Sequence, residues 1–73
     1  MNDVGRVFDF VSCDVEGAAK RTGLSVDVIR RAIRAGDLPV HYPVVNGRQL
    51  AKMAILAADL HEWVARGKTA RAS

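Results

Sequence analysis

Residues 14–36 read DVEGAAKRTGLSVDVIRRAIRAG, and the punctuation of this stretch decides the fold. Asp14 is a helix-capping residue ahead of an apolar-periodic run, Thr22-Gly23 interrupts that run, and Ser25 opens a second one. The spacing predicts two short helices joined by a tight turn, with Gly23 supplying the positive φ that the turn needs. Val15, Ala18, Ala19 and Thr22 share one face of the first helix, and Ile29, Ala32 and Ile33 share one face of the second. Small alanines let the helices cross closely, and Leu24 is expected beneath both. The other side of the second helix carries Val26, Asp27, Arg30, Arg31 and Arg34, with three arginines inside two turns. That polar face is the expected functional surface.

Downstream, Gly36 stops the second helix and residues 38–55 read as a β-hairpin around Asn46-Gly47, a dipeptide suited to a two-residue turn. Folding about that turn opposes Val45 to Arg48, Val44 to Gln49, Tyr42 to Ala51, Val40 to Met53 and Leu38 to Ile55. One face then gathers Leu38, Val40, Tyr42, Val44, Ala51, Met53 and Ile55 as a core face. The other gathers His41, Arg48 and Lys52 with Pro39, Pro43, Val45 and Leu50, partly basic and facing solvent. Pro43 has no backbone donor, which marks its strand as an edge or as bulged. A last helix is predicted over residues 57–66, stopped by Gly67, with Leu56, Leu60, Trp63 and Val64 on one face and Trp63 as a core plug.

Upstream, residues 6–11 alternate in polarity and read either as a short strand or as an arm whose aromatics tuck onto the domain. As a strand, the arm is expected to add a third strand to the hairpin of its own chain or, by exchange of arms, of a neighbouring copy on DNA, on the side of residues 48–55 because Pro43 obstructs the other edge. The domain organisation is therefore an N-terminal arm over residues 1–13, a folded domain over 14–66 and a flexible basic tail over 67–73.

The 73 residues suffice for one domain with a modest core, and 49% hydrophobic against 26% charged residues fits a folded chain rather than a disordered one. Cys13 is the sole cysteine, so neither an intramolecular disulfide nor a thiolate metal cluster can form. His41 and His61 have no third ligand at metal spacing, and no cofactor is expected. No run reaches the roughly 18 apolar residues of a membrane span, and no signal pattern opens the chain, so a cytoplasmic protein away from membranes is expected. The formal charge of +3 is unevenly spread. Residues 20–52 hold Lys20, Arg21, Arg30, Arg31, Arg34, Arg48 and Lys52 against only Asp27 and Asp37, whereas residues 1–19 are net acidic.

Two helices with a tight turn, a hairpin with a basic face and a packing helix have the layout of a winged helix-turn-helix: mainly α with a small β-hairpin. An α-helix fits the major groove of duplex DNA, and a hairpin tip reaches the neighbouring backbone or minor groove. Arg30, Arg31 and Arg34 have the fork geometry for guanine or phosphate. Asp27 either accepts from cytosine or serves the helix dipole. Val26 and Val28, near the same end of the helix, suit contact with thymine methyls, although Val28 equally suits packing on the first helix. Arg48 suits phosphate or minor groove, Lys52 phosphate, and Lys20 with Arg21 a clamp on the backbone, with His41 on the same basic hairpin face.

The run VEGAAKRTGLSVDVIRRAIRAGDLPV, followed by a short wing and DLHEWV, resembles the excisionase and MerR-type winged-helix DNA-binding domains across about residues 14–66. At this length it is most similar to the small phage excisionases, or recombination directionality factors. That resemblance implies a non-enzymatic architectural protein that binds adjacent sites on duplex DNA, bends it, and partners a phage integrase and further copies of itself during prophage excision. A small phage transcriptional regulator of the same fold shares every expected DNA contact and is the alternative. A protein-interaction module that sets the basic helix on an acidic partner is a third class. An effector-sensing regulator is disfavoured because no coiled coil or ligand domain follows Trp63 in these residues. No Ser-His-Asp, Cys-His, paired-carboxylate or phosphate-loop arrangement points to an enzyme.

Overall fold

Asp14 and Ser25 do the work their positions suggest. In the computed structural model, which describes residues 10–67, the Gly17 N–H donates to Asp14 Oδ1 at 2.7 Å and the Val28 N–H to Ser25 Oγ at 3.2 Å. Each bond satisfies a donor that a helix start otherwise leaves open. The elements in chain order are β1 (Ser12–Cys13), α1 (Val15–Thr22), α2 (Val26–Arg34), β2 (Val44–Val45), β3 (Arg48–Gln49), β4 (Ile55–Leu56) and α3 (Ala57–Ala65). Three helices thus enclose a small core beside a two-stranded antiparallel hairpin formed by β2 and β3.

The turn between α1 and α2 is held by Thr22 and Gly23. Gly23 takes φ 76° and donates its N–H to the Ala19 carbonyl, a conformation that side chains with a Cβ adopt only with strain. Thr22 Oγ1 donates to the Ala18 carbonyl at 2.8 Å and accepts from the Leu24 N–H at 3.2 Å, so one hydroxyl spans the corner. Leu24, expected beneath both helices, is instead 40% exposed. The backbone corner is closed by hydrogen bonds, and no apolar side chain is needed under it.

α2 ends in a paired stop. The Gly36 N–H donates to the Ile33 carbonyl and the Asp37 N–H to the Ala32 carbonyl, the two bonds of a Schellman motif. This reversal sends Leu38 back into the core, where it is 1% exposed. The core itself joins Val15, Ala18, Ile29, Ala32, Leu38, Ile55 and Leu60, edged by Phe10, Cys13, Ala19, Val26, Ile33, Val40, Met53 and Trp63.

The hairpin follows its expected register only near the tip. Val45 opposes Arg48, Val44 opposes Gln49, and the Leu50 N–H donates to the Pro43 carbonyl. Asn46 (φ 52°) and Gly47 (φ 78°) form the turn with the positive φ pair that a two-residue hairpin of this kind uses. Beyond Pro43 the next bridge is His41 to Ala54, so Ala51, Lys52 and Met53 stand opposite Tyr42 alone. The expected pairs Tyr42–Ala51, Val40–Met53 and Leu38–Ile55 do not form as ladder partners. Pro43 lacks the N–H that would continue the ladder, and the surplus residues bulge at that point. The offset is even, so faces are preserved: Leu38 and Ile55 are buried, and Val40 and Met53 half-buried. Toward the tip the expected core face fails, because Val44, Tyr42 and Ala51 lie beyond the helices and are exposed.

The arm also differs from expectation. Ser12–Cys13 pairs antiparallel with Ile55–Leu56, and the Ala57 N–H donates to the Val11 carbonyl at 3.0 Å. The partner lies on the expected side of the hairpin and in the same chain. The pairing makes a separate two-stranded sheet, however, because the bulge at residues 51–53 parts it from β2 and β3. The strand expected over residues 6–11 falls outside the described residues up to residue 9, as does the tail from residue 68.

α3 starts without a side-chain cap and is followed by its C-cap Arg66, whose guanidinium reaches across to donate to the Asp37 carbonyl at 2.8 Å. That bond ties the end of α3 to the end of α2. Leu60 is buried, whereas Trp63, expected as the plug, is half-buried at the core edge and Val64 is exposed. Ile29, at 0% exposure between all three helices' contributions to the core, takes the central place instead.

Ile29→Ala should therefore cost about 2–5 kcal/mol, a large share of a small domain's stability. Trp63→Ala should cost less than Ile29→Ala. Urea denaturation followed by circular dichroism checks the order, and the reverse ranking contradicts this packing.

Candidate nucleic-acid interface

At about 100° per residue, α2 turns Asp27, Arg30, Arg31 and Arg34 away from the buried Ile29 and Ala32. All four are exposed. Arg31 Nε lies 3.2 Å from Asp27 Oδ2, an i,i+4 pair in which both side chains stay largely in water, at 67% and 73% exposure. Asp27 also stands in the first turn of α2 and Arg34 in the last, each at the end where the helix dipole favours its charge. Arg30 and Arg34 make no ion pair with any described residue. They line a groove whose other walls are Val15, Ile33 and Met53, so the flank of α2 and the return side of the hairpin meet there.

Val26, expected on this face, does not belong to it. Its side chain is half-buried and packs against the core, because at the first turn of α2 it lies on the same side as Ile33. Val28 is half-buried as well, in keeping with its packing role.

The other expected basic residues separate into free and engaged ones. Lys20 is exposed on the last turn of α1. Arg48 is exposed at the hairpin tip beside Gln49. Lys52 is exposed on the bulge and lines a hollow with Ser12, Cys13, Asp14, Pro43, Leu50 and Ala54. Together with Arg30 and Arg34 these are cations without an ion pair among the described residues.

Arg21 and His41 are exposed but make contacts that the sequence does not announce. The Arg21 guanidinium carbon sits 4.1 Å from the centroid of the Phe10 ring, an arrangement in which the ring's negative face holds the cation. Arg21 thereby lines an apolar hollow with Phe10, Thr22, Ala57, Leu60, His61 and Val64, on a different part of the surface from the Arg30–Arg34 groove. His41 Nε2 lies 3.9 Å from Asp59 Oδ2 of α3, and the His41 backbone exchanges two hydrogen bonds with Ala54. The bulge places His41 at the root of the hairpin against α3 rather than on a basic outer face.

Cys13 is partly buried, and that burial raises its thiol pKa, with Arg21 opposing and Asp14 reinforcing the shift. A protonated thiol against the core is a packing group, as its isolation in the sequence suggests. Among the described residues no three His, Cys, Asp or Glu side chains gather as a metal site, and no helix is long and apolar enough to cross a membrane.

Three features of the surface carried no readable sequence signal: Met53 as a groove wall, the Phe10–Arg21 stack and the Arg66–Asp37 bond. Each joins residues far apart in the chain through side chains that are also common on unremarkable surfaces. No protein-family model, curated protein or solved structure matches the chain.

The division into engaged and free cations has a measurable consequence. Arg21→Gln should lower stability by about 0.5–1 kcal/mol through loss of the ring contact. Arg30→Gln and Arg34→Gln should each stay within about 0.5 kcal/mol of the parent. Thermal melts of the three single variants check this, and equal melting temperatures for all three would contradict it.

Proposed function

We propose that this chain is a winged helix-turn-helix protein that binds duplex DNA in a sequence-specific way and bends it, acting as a phage excisionase that sets the direction of an integrase. The observation that carries the reading is the set of exposed cations without an ion pair among the described residues: Arg30 and Arg34 on the groove with Met53, together with Arg48 and Lys52 on the hairpin segment and Lys20 on α1. A helix such as α2 is narrow enough for the major groove, where base edges are distinguishable, while the hairpin reaches the adjoining backbone or minor groove. The resemblance of residues 14–66 to excisionases supplies the biological role, with a phage integrase and further copies of the chain as partners on neighbouring sites. The protein performs no covalent chemistry in this reading, and it works on DNA in the cytoplasm of a bacterial host. A transcriptional regulator of the same fold uses the same contacts.

The electrostatics favour a polyanion over a single acidic protein patch. The free cations are spread over α1, α2 and the hairpin, and a DNA backbone offers phosphates over such a span. Placing base recognition on α2 leaves the hairpin to contribute affinity that is largely indifferent to sequence.

If about five of these side chains reach phosphates, log K should fall with log salt at a slope of about −4 to −5. Enrichment from a random duplex pool, followed by titration across salt, tests this. Alanine at Arg30, Arg31 or Arg34, one at a time, should lower the ratio of specific to random binding for at least one of the three. A flat salt response, or a pool with no enriched sequence, overturns the DNA reading. A footprint on an attachment region, repeated with the cognate integrase, then separates excisionase from regulator.

A further inference from the structure

The three arginines of α2 are not equivalent in their surroundings. Arg31 is held at Nε by Asp27, one turn earlier, at 3.2 Å. A guanidinium has five N–H donors in a fixed plane; the ion pair approaches it at Nε, and the two terminal nitrogens carry four further donors. On α2, Asp27 and Arg34 stand most nearly opposite the buried Ile29 and Ala32, with Arg31 to one side of that line and Arg30 to the other. Arg30 and Arg34 make no ion pair with any described residue, and both line the groove shared with Val15, Ile33 and Met53.

We infer that Arg31 is the base-reading residue, giving two parallel hydrogen bonds to O6 and N7 of a guanine, that Asp27 is its positioning residue, and that Arg30 and Arg34 hold phosphates. This rests on the duplex-DNA reading above and assigns roles within that surface. Guanine is the base whose major-groove edge presents two adjacent acceptors, matching two coplanar donors. Holding Nε restricts the arginine side chain before binding, so less of its freedom is lost in making the pair. Asp27 also selects between ligands. Its carboxylate repels a phosphate brought against Arg31, whereas the edge of a base carries no full charge to be repelled.

The groove suits the opposite task. A helix in the major groove and a hairpin over the adjoining minor groove are separated by one sugar-phosphate strand, and that strand has to pass between them. The groove between α2 and Met53 is the place for it, with Arg30 and Arg34 on its edge and apolar Val15 and Ile33 beside them. Phosphates met there contribute to affinity for every sequence alike.

The test uses the full chain and the duplex most enriched from the random pool, with each guanine replaced singly by 7-deazaguanine, which lacks the N7 acceptor. The parent protein should lose about tenfold in affinity at one guanine or more. Arg31→Ala should bind more weakly and be indifferent to that replacement. Asp27→Ala should show a reduced penalty, restored in Asp27→Glu, which keeps a carboxylate within reach of Arg31. Arg30→Ala and Arg34→Ala should keep the full penalty, weaken all duplexes equally and each reduce the salt slope by about one. Circular dichroism establishes that each variant is folded. A penalty that persists in Arg31→Ala, one that vanishes in Arg30→Ala or Arg34→Ala, or a parent indifferent to every replacement overturns this assignment while leaving DNA binding intact. Absence of any duplex binding overturns the assignment together with the reading beneath it.

Discussion

Everything in this protein depends on how closely α1 can lie against α2. Ala18 of α1 and Ile29 of α2 are both fully buried in the shared core, and a side chain as small as a methyl group on α1 lets the two helices approach closely. The corner that makes the crossing possible is fixed by backbone and hydroxyl hydrogen bonds at Thr22 and Gly23. With α1 and α2 fixed, the reversal at Gly36 aims Leu38 into the same core and starts the hairpin from a defined place. The outward crest of α2 is then determined by what its inner side must bury. A small core of this kind tolerates little loss, since a domain of this size has only a few kcal/mol to spare.

Charge is arranged by occupation more than by number. Arg21 lies on Phe10, Arg66 on the Asp37 carbonyl, and Arg31 on Asp27, so these three are spoken for in different degrees. The first two stabilise the fold at its edges, one against the segment before α1 and one at the joint between α2 and α3. Arg31 is held but still exposed. Arg30, Arg34, Arg48, Lys52 and Lys20 remain in water without an ion pair among the described residues. Exposed surface pairs contribute little to stability, so leaving these cations unpaired costs the fold almost nothing.

Much of the fold was legible because it is written in local signals. Asp14, Ser25, Gly23, Gly36 and Asn46-Gly47 each act within a few residues of themselves, and caps and turns obey local geometry. The exposed crest of α2 followed from periodicity alone, apart from Val26, whose place in the first turn is next to the core. What was not legible depended on distant partners. The bulge at residues 51–53 arises where Pro43 stops the ladder and β4 turns to pair with β1, and that choice moved His41 onto α3. Arg21 reads as a backbone clamp in sequence, but Phe10 is eleven positions away and becomes its neighbour only through the pairing of β1. Trp63 has the largest apolar surface in the chain, yet Ile29 sits closer to the meeting point of the elements.

The central claim is that the working surface is the crest and flank of α2 together with the outer hairpin, and that the apolar hollow around Phe10 and Leu60 is apart from it. Amide chemical shifts of the nitrogen-15-labelled full chain, followed during titration with the enriched duplex, test this directly. The account predicts that the largest changes fall at residues 27–34 and 48–52, with Arg21, Leu60 and Val64 little affected. Changes concentrated at Arg21, Leu60 and Val64, with residues 27–34 unmoved, would contradict it.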